Sequence, residues 1–157
     1  MIWIALYIGT IFAANWAISA FGVVPVGFGL YAPAAVYFVG LAFTFRDLSQ
    51  DAVGKWPVIG AIFVGAALSA FVSPALAVAS GAAFLFSELA DLAVYTPLRR
   101  RSWTGAVVAS NAVGIVVDSL IFLTLAFGSL EFLAGQVVGK AWMTVLAVVV
   151  LTLWRRR

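Results

Sequence analysis

Cysteine and histidine are both absent from the 157-residue chain, and charge is scarce. Without cysteine there is no disulfide, no thiolate metal site and no cysteine nucleophile. Without histidine a Ser–His intramembrane protease, haem ligation through histidine and most zinc chemistry are excluded. Charged residues make up only 10% of the chain, against roughly 25% in a soluble domain. A nucleotide-binding motif is also missing, so the chain does not hydrolyse ATP itself. What replaces these residues is apolar: 65% of positions are hydrophobic and mean hydropathy is +1.15. That excludes both a soluble globular domain and a disordered chain.

A membrane-spanning helix needs about 20 apolar residues. The chain is therefore expected to be an all-α integral membrane protein, a six-helix transmembrane bundle in one domain over residues 1–157. The expected spans are Ile2–Ala20, Leu30–Phe45, Pro57–Val72, Pro74–Leu98, Trp103–Phe127 and Phe132–Trp154. The first lacks a positive leading region and is too long for a cleaved signal peptide, so it reads as a retained span. Pro57 and Pro74 suit first helical turns, where a missing N–H loses no partner. Phe21–Gly29 is rich in Gly and Pro and reads as a loop dipping at the interface.

Charge placement sets the expected orientation. Eight of the nine basic residues fall in three places: Arg46 and Lys55, Arg99–Arg101, and Arg155–Arg157. The alternate loops, near Gly22–Gly29, Ser73–Pro74 and Gly128–Leu130, carry none. By the positive-inside rule both termini are cytoplasmic, in a multi-pass protein of the cytoplasmic membrane. Trp56, Trp103 and Trp154 stand at that side as an aromatic belt. Since these bases cluster at the ends of apolar runs, the net charge of +3 points to a membrane surface rather than to nucleic acid. Small residues recur at every fourth position in the first span (Ala5, Gly9, Ala13, Ala17) and in the third (Ala61, Gly65, Ser69). Such stripes let helix backbones approach closely, within one bundle or between two copies.

The informative residues are the polar ones inside apolar runs: Asn15, Glu88, Asp91, Asn111, Asp118, Gln136 and Lys140. An ionised side chain at the centre of a spanning helix costs roughly 2.5–3.5 kcal/mol on insertion scales. At about 1.5 Å per residue, Asn15, Glu88, Asp118 and Lys140 fall near the middle of a ~30 Å core. Gln136 is one turn from Lys140 on the same face, and Asp91 is one turn from Glu88. Three carboxylates then face one lysine, a surplus of acid that points to a polar ligand pathway as well as to internal pairing. Arg46 and Asp47, expected at the end of the second span, form a second cluster with Asp51 and Lys55. They read as a solvated loop or as an inner gate. Tyr31, Tyr37, Phe43, Phe84 and Tyr95 are candidates to stack on a planar ligand.

The segment Phe43–Asp47 followed by Gly54-Lys55 resembles the end of span two in the vitamin uptake transporter (VUT) family, which includes queuosine precursor transporters. Ser87–Tyr95, with Leu98-Arg99 after it, is similar to that family's fourth span. Ser110–Gly114 and Asp118-Ser119, with Phe122 and Ala126-Phe127, are similar to its fifth. Lys140 and Asn15 match a lysine in its sixth span and an asparagine in its first. The resemblance implies import of 7-deazaguanine bases, preQ0 and preQ1, without a cofactor or an enzymatic step. It puts Asp118 or Glu88 in the role of base reader and Lys140 in that of carbonyl donor or counter-ion. A guanine-like edge offers two adjacent N–H donors that one carboxylate can accept. The rival readings are a substrate-binding S-component of an energy-coupling-factor vitamin importer and a non-transporting structural membrane protein. The small-residue stripes make a homodimer the expected assembly.

Overall fold

The computed structural model describes residues 2–72 and 77–155. Pro74, expected to open a helix, and Arg156 and Arg157 lie outside the described residues. Six helices and one hairpin are formed there: α1 (Ile2–Phe21), β1 (Val23–Gly27), β2 (Leu30–Pro33), α2 (Val36–Val53), α3 (Lys55–Val72), α4 (Ala77–Leu98), α5 (Trp103–Phe127) and α6 (Leu133–Arg155). In an apolar surrounding a helix satisfies its own backbone groups, so long apolar runs settle into helices. Four of them, α1, α4, α5 and α6, are long and apolar enough to cross a membrane. The ends carry local signals. Ser102 caps α5 by accepting from the Gly105 amide at 3.1 Å. Gly128 ends the helix in the left-handed region, with φ 61°.

Two sequence expectations need correction. Residues 21–29 are not one loop: Phe21 ends α1 and Val23–Gly27 is a strand. Val23 pairs with Pro33, Val24 with Ala32 and Pro25 with Tyr31 in an antiparallel hairpin, with a bulge before Gly27. Its turn runs through three positive-φ residues, Gly27, Phe28 and Gly29. The hairpin lies along α6, where the Trp142 indole donates to the Val26 carbonyl at 3.0 Å and Phe28 stacks on the Trp142 ring. Gly135 and Gly139 make the fit. A Cβ at Gly135 would collide with the Tyr31 backbone, and one at Gly139 would come within 2.5 Å of Val36.

The second span also differs from Leu30–Phe45. Its first residues belong to β2, and the helix runs on through Val53. The charges at Arg46 and Asp47 do not end the helix, because their side chains turn into the bundle, where both are 0% exposed. Helix α2 runs tightly beside α6: a Cβ at Gly40 would lie 2.5 Å from the Lys140 carbonyl oxygen.

An apolar core of Tyr7, Ile11, Ala42, Val58, Ala61, Ile62 and Phe84 ties α1, α2, α3 and α4 together. The two small-residue stripes separate here. In α3, Ala61, Gly65 and Ser69 are buried, with Gly65 against the Phe84 ring. In α1, Ala5 and Gly9 face outward, and a Cβ at Gly9 would meet nothing within 4 Å. The two ends of the bundle are unlike. Lys55 and Arg99–Arg101 mark a basic end, and the hairpin and the Gly128 turn mark the other.

Candidate functional site

A cavity reaches into the bundle from the hairpin end. It is lined by Asn15 and Ile18 of α1, Pro33, Val36 and Val39 around the start of α2, Ser69 of α3, Ser80 and Phe84 of α4, Asp118 and Phe122 of α5, and Gln136 and Lys140 of α6. Its empty space is about 580 Å³ with the mouth included, within the roughly 300–1,000 Å³ usual for small-molecule sites. Most of the wall is apolar, and three of its polar residues, Asp118, Gln136 and Lys140, meet at one place.

That place is Lys140. Its ammonium is 1% exposed and spends its three donors on the protein. One goes to Asp118 Oδ2 at 2.6 Å, one to Ser119 Oγ at 2.8 Å and one to Gln136 Oε1. The helical spacing accounts for the Gln136 contact, since residues four apart share a face. Fully paired, Lys140 stands as the counter-ion to Asp118 in an otherwise apolar surrounding. Asp118 Oδ1 and the Gln136 amide nitrogen stand outside this network and have hydrogen-bonding capacity left. Asn15 donates to the Ile11 carbonyl at 2.8 Å, so its side-chain oxygen is the group it offers. The cavity thus combines a carboxylate acceptor, amide donors and acceptors, and the rings of Phe84 and Phe122.

A second buried polar cluster lies nearer the basic end. Arg46 is its centre and contacts three carboxylates: Asp47 at 2.8 Å, Glu88 at 3.4 Å, and Asp91. The guanidinium also donates to Gln50 Oε1 at 3.2 Å and lies over the Tyr95 ring, 5.4 Å from its centroid. Ser110 donates to Asp47 Oδ2 at 3.3 Å. Asn111, with its amide turned to satisfy both ends, donates to Asp91 Oδ2 and the Val107 carbonyl and accepts from Thr44 and Thr144. A buried aromatic ring packs beside this cluster. Phe43 is buried at 1% exposure against Gly114, where a Cβ would be 2.8 Å from its ring and 3.2 Å from Asp91. Glu88 belongs to this deeper cluster through Arg46 and is not part of the cavity lining.

The seven polar residues singled out in the sequence therefore divide. Asn15, Asp118, Gln136 and Lys140 line the cavity. Glu88, Asp91 and Asn111 join Arg46 and Asp47 in the deeper cluster. The acid surplus survives but its count changes. Asp47, Glu88, Asp91 and Asp118 are all buried, and two cations, Arg46 and Lys140, face them. Of the five aromatic candidates, Phe84 lines the cavity. Tyr31 is exposed, and the Tyr37 hydroxyl donates to the Pro25 carbonyl. Phe43 packs against Gly114 beside the deeper cluster, and Tyr95 donates to Asp51 at 2.8 Å. Ser119, Ser69 and Ser80 were not among the expected site residues. Ser119 follows Asp118 directly, and its place beside a buried charge was its only signal.

The family model described as "Putative vitamin uptake transporter" matches residues 70–154, from the end of α3 through α6. No curated protein and no solved structure matches the chain. The matched stretch carries Glu88, Asp91, Asn111, Asp118, Gln136 and Lys140. Together with four helices apolar enough to cross a bilayer, the match makes this a multi-pass membrane protein of a transport family.

Proposed function

The chain belongs to the vitamin uptake transporter family, and from that premise we propose that it imports queuosine precursors, the 7-deazaguanine bases preQ0 and preQ1, through the Asp118–Lys140 cavity. The observation that carries this reading is the cavity itself: a carboxylate with one oxygen to spare, held beside its own counter-ion. Asp118 Oδ1 accepts from the adjacent N–H donors of the base, and the Gln136 amide donates to its carbonyl. Lys140 serves as counter-ion rather than as carbonyl donor, because its donors are spent within the protein. Phe84 and Phe122 supply the apolar shelf for a planar ring. The aminomethyl group of preQ1 is cationic and is attracted by the acid surplus of the deeper cluster.

In this reading all six helices span the cytoplasmic membrane, with both termini and the basic end inside. The cavity then opens outward, and the Arg46 cluster with Phe43 closes the inner side. Inward release requires Arg46 to exchange its carboxylate partners, which makes Arg46 and Asp47 the inner gate. The exposed Ala5–Gly9 face of α1 favours one second reading, an S-component that docks a partner through that face. It is equally a surface for a second copy of the chain. Uptake of labelled preQ1 by cells that express the chain without any coupling ATPase tests the proposal. Uptake that disappears with Asp118→Asn, while the protein stays folded in the membrane, is the expected result. Uptake that needs a partner ATPase supports the S-component instead. Undiminished uptake by Asp118→Asn contradicts the assignment of the site.

A further inference from the structure

A second cavity opens at the basic end, remote from the first. It is lined by Gln50 of α2, Lys55 at the start of α3, Thr96 of α4, and Arg99 and Arg100 just beyond α4. Its empty space is about 470 Å³ with the mouth included. The floor is polar and already satisfied: Gln50 donates to Thr96 at 3.0 Å, and Thr96 donates to the Leu92 carbonyl at 2.7 Å. Arg99 is held in place on one side. It pairs with Asp51 at 3.3 Å and donates to the Gln50 carbonyl at 3.2 Å, while Tyr95 donates to the other oxygen of Asp51. Lys55 and Arg100 are different. Among the described residues neither has a carboxylate within ion-pair distance. Lys55 instead lies over the Trp56 ring, 4.9 Å from its centroid, and that ring is 74% exposed.

Three cations from two separate connections thus converge on one concave pocket, with Asp51 the one carboxylate paired to them among the described residues. Retention of positive charge on one membrane side would be met by scattered exposed bases, and it does not call for a shared pocket. We propose that this pocket binds a phosphate group. Arg100 and the outer edge of Arg99 supply planar donor forks suited to phosphate oxygens, and Lys55 supplies a compact charge. The pocket lies at the end of the bundle, beside an exposed tryptophan, where lipid headgroup phosphates are found. It is also wired inward: Gln50, which accepts from Arg99 through its carbonyl, accepts from Arg46 through its side chain. A bound phosphate therefore acts one residue away from the buried Arg46 cluster.

The test uses the full chain in phosphatidylcholine nanodiscs. Binding of phosphatidylglycerol and of inorganic phosphate is measured separately for the native protein and for Lys55→Ala/Arg100→Ala. A charge-assisted hydrogen bond is worth about tenfold or more in affinity, so the double variant should weaken binding by about 100-fold. Arg101→Ala, next to the pocket but outside its lining, should cost about fivefold, as a base merely near a charged surface does. Lys55→Arg, which keeps the charge and leaves the Arg100 fork in place, should retain binding and shows that the pocket is intact. Binding of the lipid alone identifies a headgroup ligand. Binding of inorganic phosphate as well, or instead, identifies a free phosphate as sufficient. Binding of neither by the native protein overturns the proposal. So does a loss in Arg101→Ala as large as that in the double variant, since the attraction would then be diffuse.

Discussion

Arg46 is the one cation among three buried carboxylates, and replacing it should be among the most damaging single changes in the molecule. Arg46→Gln keeps much of the volume and removes the charge. Asp47, Glu88 and Asp91 then remain at 0–1% exposure without the guanidinium that contacts all three. Stripping one partner from a buried ion pair costs about 3–5 kcal/mol. That is a large part of the roughly 5–15 kcal/mol that holds a domain folded. At about 2–4 °C per kcal/mol for a chain of this size, the melting midpoint should fall by about 6–20 °C. Thermal melting of the detergent-purified protein, followed by size-exclusion chromatography, measures the drop. The double variant Arg46→Gln/Asp91→Asn removes one cation and one anion, restoring the cluster's original charge balance. It should recover part of the loss. An Arg46→Gln midpoint equal to the native one would refute the reasoning. So would a double variant less stable than the single one, because the contacts would then not be a charge-balanced unit.

Other consequences follow from the packing. Lys140→Met strands Asp118 and should cost about 3–5 kcal/mol, whereas Lys140→Met/Asp118→Asn should melt near the native midpoint yet bind no base in a thermal-shift titration. Gly40→Ala places a Cβ 2.5 Å from the Lys140 carbonyl oxygen, so α2 and α6 must move apart. A loss of about 1–3 kcal/mol is expected from overpacking, read as a lower melting midpoint. Ser102→Ala removes the cap that accepts from the Gly105 amide and should cost about 1 kcal/mol, with ligand binding unchanged in the same titration.

Much of the cavity was legible because its residues break a simple rule. Asn15, Asp118, Gln136 and Lys140 are polar groups within otherwise apolar runs, and only a shared interior accounts for them. The spacing of Gln136 and Lys140 also placed both on one face of α6. Arg46 and Asp47 were harder to place for a physical reason. A run of Arg46, Asp47, Ser49, Gln50 and Asp51 has the composition of the polar end of a span, so the local pattern ends the apolar run at Phe45. Their burial depends on Glu88 and Asp91 from α4 and Ser110 and Asn111 from α5. Those partners lie some forty to sixty residues away, and no local pattern announces them. The hairpin was missed for a similar reason. Val23–Gly27 and Leu30–Pro33 are short and interrupted by proline. What fixes them is the smooth face that Gly135 and Gly139 offer on α6, more than a hundred residues on. The family resemblance, by contrast, rested on the order of small motifs along the chain and needed no partner in space.

The role proposed for Asp118 is to read a 7-deazaguanine base during import. Purified protein in proteoliposomes, given labelled preQ1 and no other protein, tests it most directly. Saturable accumulation by the native chain, competed away by preQ0 and abolished in a folded Asp118→Asn variant, is the expected result. Accumulation by Asp118→Asn equal to native, or none by correctly folded native protein, would contradict it.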